Sequence, residues 1–293
     1  MAGQRTFVTR FAPSPSGLLH VGHVYAAMEA LALAHENGGV CRLRWENLDS
    51  ARCRAEYQLR AAEDLAWLGL HFDGAPLIQS GRMDAYARAC ALLRDAGVLY
   101  PCFCTRREIR EQAAESGRAP HGALGIVYPG TCRLMGEAER EERLARGDAH
   151  CWRLDCRRAQ DLVGILEWED LLRGMQRCVP SETGDVILAR RDCPASYHLA
   201  VVVDDAEQGV THVTRGMDLF EATHVHRTLQ ALLGLPVPVW RHHGLLLDES
   251  GRRLAKRDGA RSIASLRAAG YTVREVIDSV LRAHARGGVW SLP

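Results

Sequence analysis

His20 and His23 flank Gly22 at the end of the stretch Arg10-Phe-Ala-Pro-Ser-Pro-Ser-Gly-Leu-Leu-His-Val-Gly-His23. Both imidazoles can donate to phosphate oxygens, and a glycine between them lets a flat ligand approach the backbone. A second chemical group is more isolated. Of the 37 basic residues, 36 are arginine and one, Lys256, is lysine. Drift in composition explains the arginines but not why a single lysine remains. It sits in the polar segment that runs from Asp248 to Gly259. A compact ammonium on such a loop suits a phosphate-like anion. A third group is soft: Cys102-Phe-Cys104 and Cys132 offer three thiolates, a structural metal site that lacks one ligand.

The elements that must hold these groups are legible around them. Thr6–Thr9 has the β-branched and aromatic character of a strand, and Val21–Asn37 reads as a helix. Pro13, Pro15 and Gly17 force a turn between them. The histidines therefore fall where a strand ends and a helix begins, with its first N–H groups unpaired. The glycine spacing is neither the dinucleotide fingerprint nor a P-loop. A second strand, Val40–Trp45, ends at Glu46-Asn-Leu-Asp49, and Asp49-Ser50 is expected to cap a helix from Ala51 to Leu68. A further helix is expected over 83–97. The apolar run Ser196–Val203 reads as a strand, as do His212–Gly216 and Trp240–Leu247. Leu219–Leu233 reads as a helix closed by Gly234, Glu137–Arg146 as an exposed helix, and two helices near 262–269 and 272–286 finish the chain.

The chain has 293 residues, 47% hydrophobic and 25% charged, ordinary for a globular protein. No run of 18 apolar residues occurs, so a cytoplasmic protein without a membrane partner is expected. Ten scattered cysteines without a secretory signal point to free thiols plus one metal site rather than a disulfide framework. A net charge of +1 requires any RNA contact to come from a local patch.

Taken whole, residues 10–23 resemble the HIGH motif of class I aminoacyl-tRNA synthetases, in the version carried by the glutamyl and glutaminyl enzymes. Arg253-Leu-Ala-Lys-Arg257 resembles the KMSKS loop, with Arg253 for its first lysine, Ala255 for its serine and Lys256 in the place of the lysine used on ATP. The resemblance covers about residues 5–270. It implies an α/β fold: a Rossmann-like doubly wound parallel sheet with an inserted zinc-bearing subdomain and a C-terminal helical segment. The expected segments are 1–98 and 191–247 for the catalytic halves, 99–190 for the insertion and 248–293 for the loop and terminal helices.

The same resemblance implies ATP with Mg2+ as substrate, with His20, Gly22, His23 and Lys256 on the nucleotide. It also implies an L-glutamate pocket of Arg10, Ser14, Glu46, Tyr197 and Arg215. By type, the arginines and the phenol suit carboxylate oxygens, while Glu46 and Ser14 suit an ammonium. Some members of the family complete one structural Zn2+ with Tyr-x-x-x-Cys, here Tyr128 and Cys132, and His121 is the competing fourth ligand. Only 36 residues follow Arg257, less than the family's helical anticodon-reading domains require. That length resembles the short branch whose acceptor is a queuosine base in the anticodon of tRNA(Asp), acting as a monomer. An enzyme charging an ordinary tRNA, or a non-catalytic tRNA- or glutamate-binding paralogue, are the other readings.

Overall fold

The computed structural model describes residues 6–115, 127–190, 193, 195–248, 251–252, 254 and 261–291. The elements run in order β1 (Val8–Phe11), α1 (Val21–Glu36), β2 (Val40–Trp45), α2 (Ala55–Trp67), β3 (Leu77–Ile78), α3 (Met83–Asp95) and β4 (Leu99–Cys102). There follow α4 (Arg106–Glu115), α5 (Glu137–Ala145), β5 (Cys151–Leu154), α6 (Cys156–Val163), β6 (Glu167–Asp170), β7 (Gly174–Arg177) and β8 (Ile187–Arg190). The chain then forms α7 (Tyr197–Glu207), β9 (His212–Gly216), α8 (Ala222–Leu233), β10 (Val239–His243), α9 (Ile263–Ala268) and α10 (Val273–Ala285). They group into two compact units, residues 1–81 with 209–217 and 238–293, and residues 82–208 with 218–237.

The first unit is built on parallel strands. β1 pairs with β2, β2 with β3, and β9 with β10, all parallel. β9 runs alongside β1, where Thr211 donates its N–H to the Val8 carbonyl and accepts the Val8 N–H on its hydroxyl, both at 2.9 Å. Helix α1 can lie close to this sheet because its inner face is small: Val24, Ala27 and Ala30 are fully buried. Thr9, on the strand beneath, donates its hydroxyl to the Ala30 carbonyl at 2.8 Å. Ile263, Leu266, Val276 and Val280 bring α9 and α10 into the same core. Such side chains contribute about 1.5–3 kcal/mol each on burial, which fixes the strand ends that carry the chemistry.

The second unit holds an antiparallel sheet, β4-β5-β8, and the β6–β7 hairpin. Its helices include α7, and here the sequence reading is corrected: Ser196–Val203 is not a strand but the start of a helix. Leu199, Ala200, Val201 and Val202 are all at most 2% exposed, so an element buried on every side shows no period to separate helix from strand. The helical turn also brings Asp204 inward, where Arg82 and the Tyr86 hydroxyl both meet its carboxylate at 2.8 Å.

Smaller corrections share one cause, the local backbone. The first strand is Val8–Phe11 rather than Thr6–Thr9, and the last ends at His243 rather than Leu247. Asp49 does not cap a helix at Ala51. It holds a turn instead, accepting the Arg52 N–H at 3.2 Å, and α2 begins at Ala55. The exposed helix near 137–146, the Gly234 stop and the two last helices lie where expected.

Candidate functional site

The histidine pair builds its own frame. His20 is the N-cap of α1, and its Nδ1 accepts the Gly22 N–H at 3.1 Å. His23, three residues on, reaches back and accepts the His20 N–H on its own Nδ1, also at 3.1 Å. This is a reciprocal capping box made of two imidazoles. Both Nδ1 atoms act as acceptors, so in the neutral rings the proton belongs to Nε2, the nitrogen that can donate to an anion. The ring centroids are 3.9 Å apart. A Cβ at position 22 would lie 2.9 Å from the His20 ring, so glycine is what lets that ring fold over the first turn.

Around this entrance the first unit gathers other expected residues at the carboxyl ends of its parallel strands, where open α/β sheets bind ligands. Glu46 follows β2 and is held by Arg44, a fully buried guanidinium whose Nη2 lies 3.1 Å from its carboxylate. The Glu46 N–H donates to the Pro13 carbonyl at 3.1 Å, which fastens the proline loop to the end of β2. Ser14, exposed on that loop, has its hydroxyl 3.4 Å from the Cys53 sulfur. Arg10 is buried and donates from Nη1 to the Thr214 carbonyl at 2.9 Å. Arg215, next along β9, donates from Nε to His242 Nε2 at 3.0 Å, and His242 is itself fully buried. Tyr197 belongs to the second unit, in the first turn of α7, with the His198 and His226 rings both 5.5 Å away edge-on.

Lys256, with its neighbours Arg253 and Ala255, lies outside the described residues. The chain on either side is anchored in the first unit. Before it, Leu254 donates its N–H to the Leu246 carbonyl at 3.1 Å, and Asp248 closes a turn with Arg252. After it, Ser262 bridges to His20, and the Ile263 N–H meets the Leu19 carbonyl at 2.9 Å. The described chain thus resumes beside the histidine pair. Sequence reasoning did not single out Arg44, His242 or Ser262. A buried arginine or histidine in a strand looks like any exposed one until the strands are paired.

The thiols converge in the second unit. Cys102 ends β4, Cys104 follows it, and Cys132 arrives on a short helical turn after Gly130, whose φ of 91° favours glycine. The three sulfurs lie within 4.8 Å of one another. Cys104 and Cys132 are 3.4 Å apart, against about 3.8 Å between sulfurs on a tetrahedral zinc with bonds of about 2.3 Å. Tyr128 is buried, with its hydroxyl 3.5 Å from the Cys104 sulfur and accepting the Cys132 N–H at 2.9 Å. Hydrogen bonds from Cys132 and then Cys151 hold the Cys102 thiol far below its ordinary range, and its hydrogen bond with Cys102 pushes Cys132 up. Three soft donors and a phenol oxygen fit a metal ion. His121 lies outside the described residues.

The family model for the catalytic domain of class I tRNA synthetases (E and Q) matches residues 6–286. A glutamyl-Q tRNA(Asp) synthetase of Rhodobacter capsulatus is 48% identical over 275 residues, covering 92% of this chain and 98% of that protein. One from Nocardia farcinica is 45% identical over 268 residues, covering 92% of this chain and 81% of the relative. A glutamate–tRNA ligase 2 of Nitrosococcus oceani is 38% identical, and the match spans 56% of its length. Among solved structures, a glutamate tRNA ligase of Elizabethkingia meningosepticum in complex with its amino acid superposes with a TM-score of 0.77 at 27% identity. The match takes in 94% of this chain and about 60% of that ligase.

Proposed function

The chain belongs to the class I glutamyl- and glutaminyl-tRNA synthetase catalytic family, and from that premise we infer an ATP-dependent ligase that glutamylates queuosine in the anticodon of tRNA(Asp). The observation that carries this reading is the match to glutamyl-Q tRNA(Asp) synthetases over most of their length, 98% for the Rhodobacter protein and 81% for the Nocardia protein. Glutamate–tRNA ligases match over little more than half of theirs, 56% for the Nitrosococcus protein.

Two displacements make up the reaction. The α-carboxylate of L-glutamate attacks the α-phosphorus of Mg-ATP, forming glutamyl-adenylate and releasing pyrophosphate. A hydroxyl of the queuosine cyclopentenediol then attacks the activated carbonyl, gives up its proton and displaces AMP. The protein contributes position and charge rather than covalent chemistry. His20 and His23 donate from Nε2 to the nucleotide phosphates at the N-terminus of α1, where the helix dipole also favours an anion. Lys256 meets the departing pyrophosphate. Arg10, Arg215 and Tyr197 take carboxylate oxygens of glutamate, and Glu46 with Ser14 takes its ammonium. Arg44 holds the Glu46 side chain in place for that contact.

Cys102, Cys104, Cys132 and Tyr128 would hold one structural Zn2+, which when bound ties the end of β4 to the turn at Cys132. Arg106, Arg107 and Arg110, all exposed on α4 beside this module, are the surface proposed for the anticodon arm. Such docking reads loop shape and an exposed base more than helix sequence. No described helix is long and apolar enough to cross a membrane.

Glutamate-dependent ATP–pyrophosphate exchange, run with and without tRNA, tests the reading. Exchange without tRNA is expected. Exchange that requires tRNA would point to a charging enzyme instead, and its absence under both conditions to a binding protein.

A further inference from the structure

Arg153 lies on β5 opposite Tyr100 and is only 6% exposed. Its guanidinium carbon stands 4.0 Å from the centroid of the Tyr128 ring, and Nη1 donates to the backbone carbonyl of Asp185 at 2.8 Å. The Asp185 carboxylate is otherwise engaged. Arg133 meets it at 2.7 Å, the Tyr100 hydroxyl at 2.5 Å and the Cys156 N–H at 3.1 Å. Arg153 Nε is buried without an acceptor among the described residues. A buried cation left uncompensated costs several kcal/mol, so its counter-charge must come from elsewhere.

The neighbouring groups that can supply it are sulfurs. Cys151, two residues before Arg153 on β5, is paired in register with Cys102 of β4, and the Tyr128 ring under the guanidinium has its hydroxyl 3.5 Å from the Cys104 sulfur. A divalent ion bound by three thiolates and a neutral phenol carries one net negative charge. One guanidinium stacked on the phenol ring cancels it.

We propose that Arg153 is the charge-balancing residue of a divalent-metal centre formed by Cys102, Cys104, Cys132 and Tyr128. It touches the face of the oxygen ligand's ring and offsets the thiolate charge in a region that excludes water. Neutralising a buried metal–thiolate charge strengthens retention of the ion, as outer-shell partners do elsewhere. The inference rests on reading the thiol cluster as a metal site.

The test is zinc affinity of the full chain, read by competition with a chromophoric chelator, with circular dichroism of each metal-free protein as the fold control. Arg153→Gln keeps a polar side chain but loses the charge, and should bind zinc about 10- to 100-fold more weakly. Arg153→Lys keeps the charge and should stay within about tenfold of the parent. Arg153→Gln with unchanged affinity would overturn the assignment. Should that variant not fold, Arg153→Lys decides, because a hundredfold loss with charge retained would overturn it equally. A parent chain that binds zinc no better than Cys102→Ser/Cys104→Ser would instead overturn the metal reading itself.

Discussion

The histidine pair and the thiol cluster are built in opposite ways. His20, Gly22 and His23 are consecutive enough to set each other's geometry, each imidazole capping a backbone N–H within three residues of itself. The thiol cluster is assembled from β4, the turn at Cys132 and the buried Tyr128, with Arg153 of β5 against it. A local motif needs only the helix to form, whereas an assembled one needs the antiparallel sheet first. The first should therefore fail by misplacing one atom, the second by losing a fold element.

The largest effect expected from breaking this contrast is Lys256→Ala, which should slow glutamate-dependent ATP–pyrophosphate exchange by about 10²–10³-fold, the scale for one charge-stabilising donor. Zinc content of that variant should not change, as metal analysis of the same preparation would show. Gly22→Ala comes next. Its methyl must displace the His20 ring, and exchange should fall by about 10- to 100-fold, in line with an ångström-scale misplacement. Unfolding temperature should stay within a few degrees of the parent. A large loss of stability would show that the pair is a structural cap rather than a site.

Charge reversal at Arg106, Arg107 and Arg110 should weaken transfer to tRNA about tenfold or more while sparing exchange, since phosphate contacts act on RNA binding alone. Equal loss of both activities would sink the proposed docking face.

The smallest effect concerns stability. Asp64 is 2% exposed, and its Oδ2 has no partner among the described residues. Burial raises its carboxyl from 3.8 to about 6, against the opposing charge of Arg267 on α9. Its folded value lies above its unfolded one, so the folded chain holds an extra proton between those values. The associated stability is present in acid and fades as pH rises through about 6. Asp64→Asn should remove that slope and raise the melting temperature at pH 7 by a few degrees, for a gain on the order of 1–2 kcal/mol. An unchanged slope in thermal melts from pH 4 to pH 7 would show that Asp64 is not its source.

What could be read from the sequence follows the same division. The proline loop, the histidines, the helix behind them and the parallel strand candidates were legible because each is specified within about 15 residues. The helix α7 was not, since Leu199–Val202 is buried on all sides and carries no amphipathic period. The three cysteines could be named but their convergence could not be deduced from spacing, because Cys102 and Cys132 meet only through the turn at Gly130. Arg44, His242 and Arg153 gave no signal at all. Each is one arginine or histidine among many, marked out only by burial and by the carboxylate, guanidinium or phenol ring it meets.

One measurement tests the central claim most directly: transfer of labelled glutamate to tRNA(Asp) bearing queuosine, beside tRNA(Asp) without it and tRNA(Glu). The expected result is label on the queuosine-bearing tRNA(Asp) alone, retained when its 3′-terminal adenosine is removed beforehand. Label on tRNA(Glu) that is lost on such removal would contradict it and assign the chain to ordinary tRNA charging.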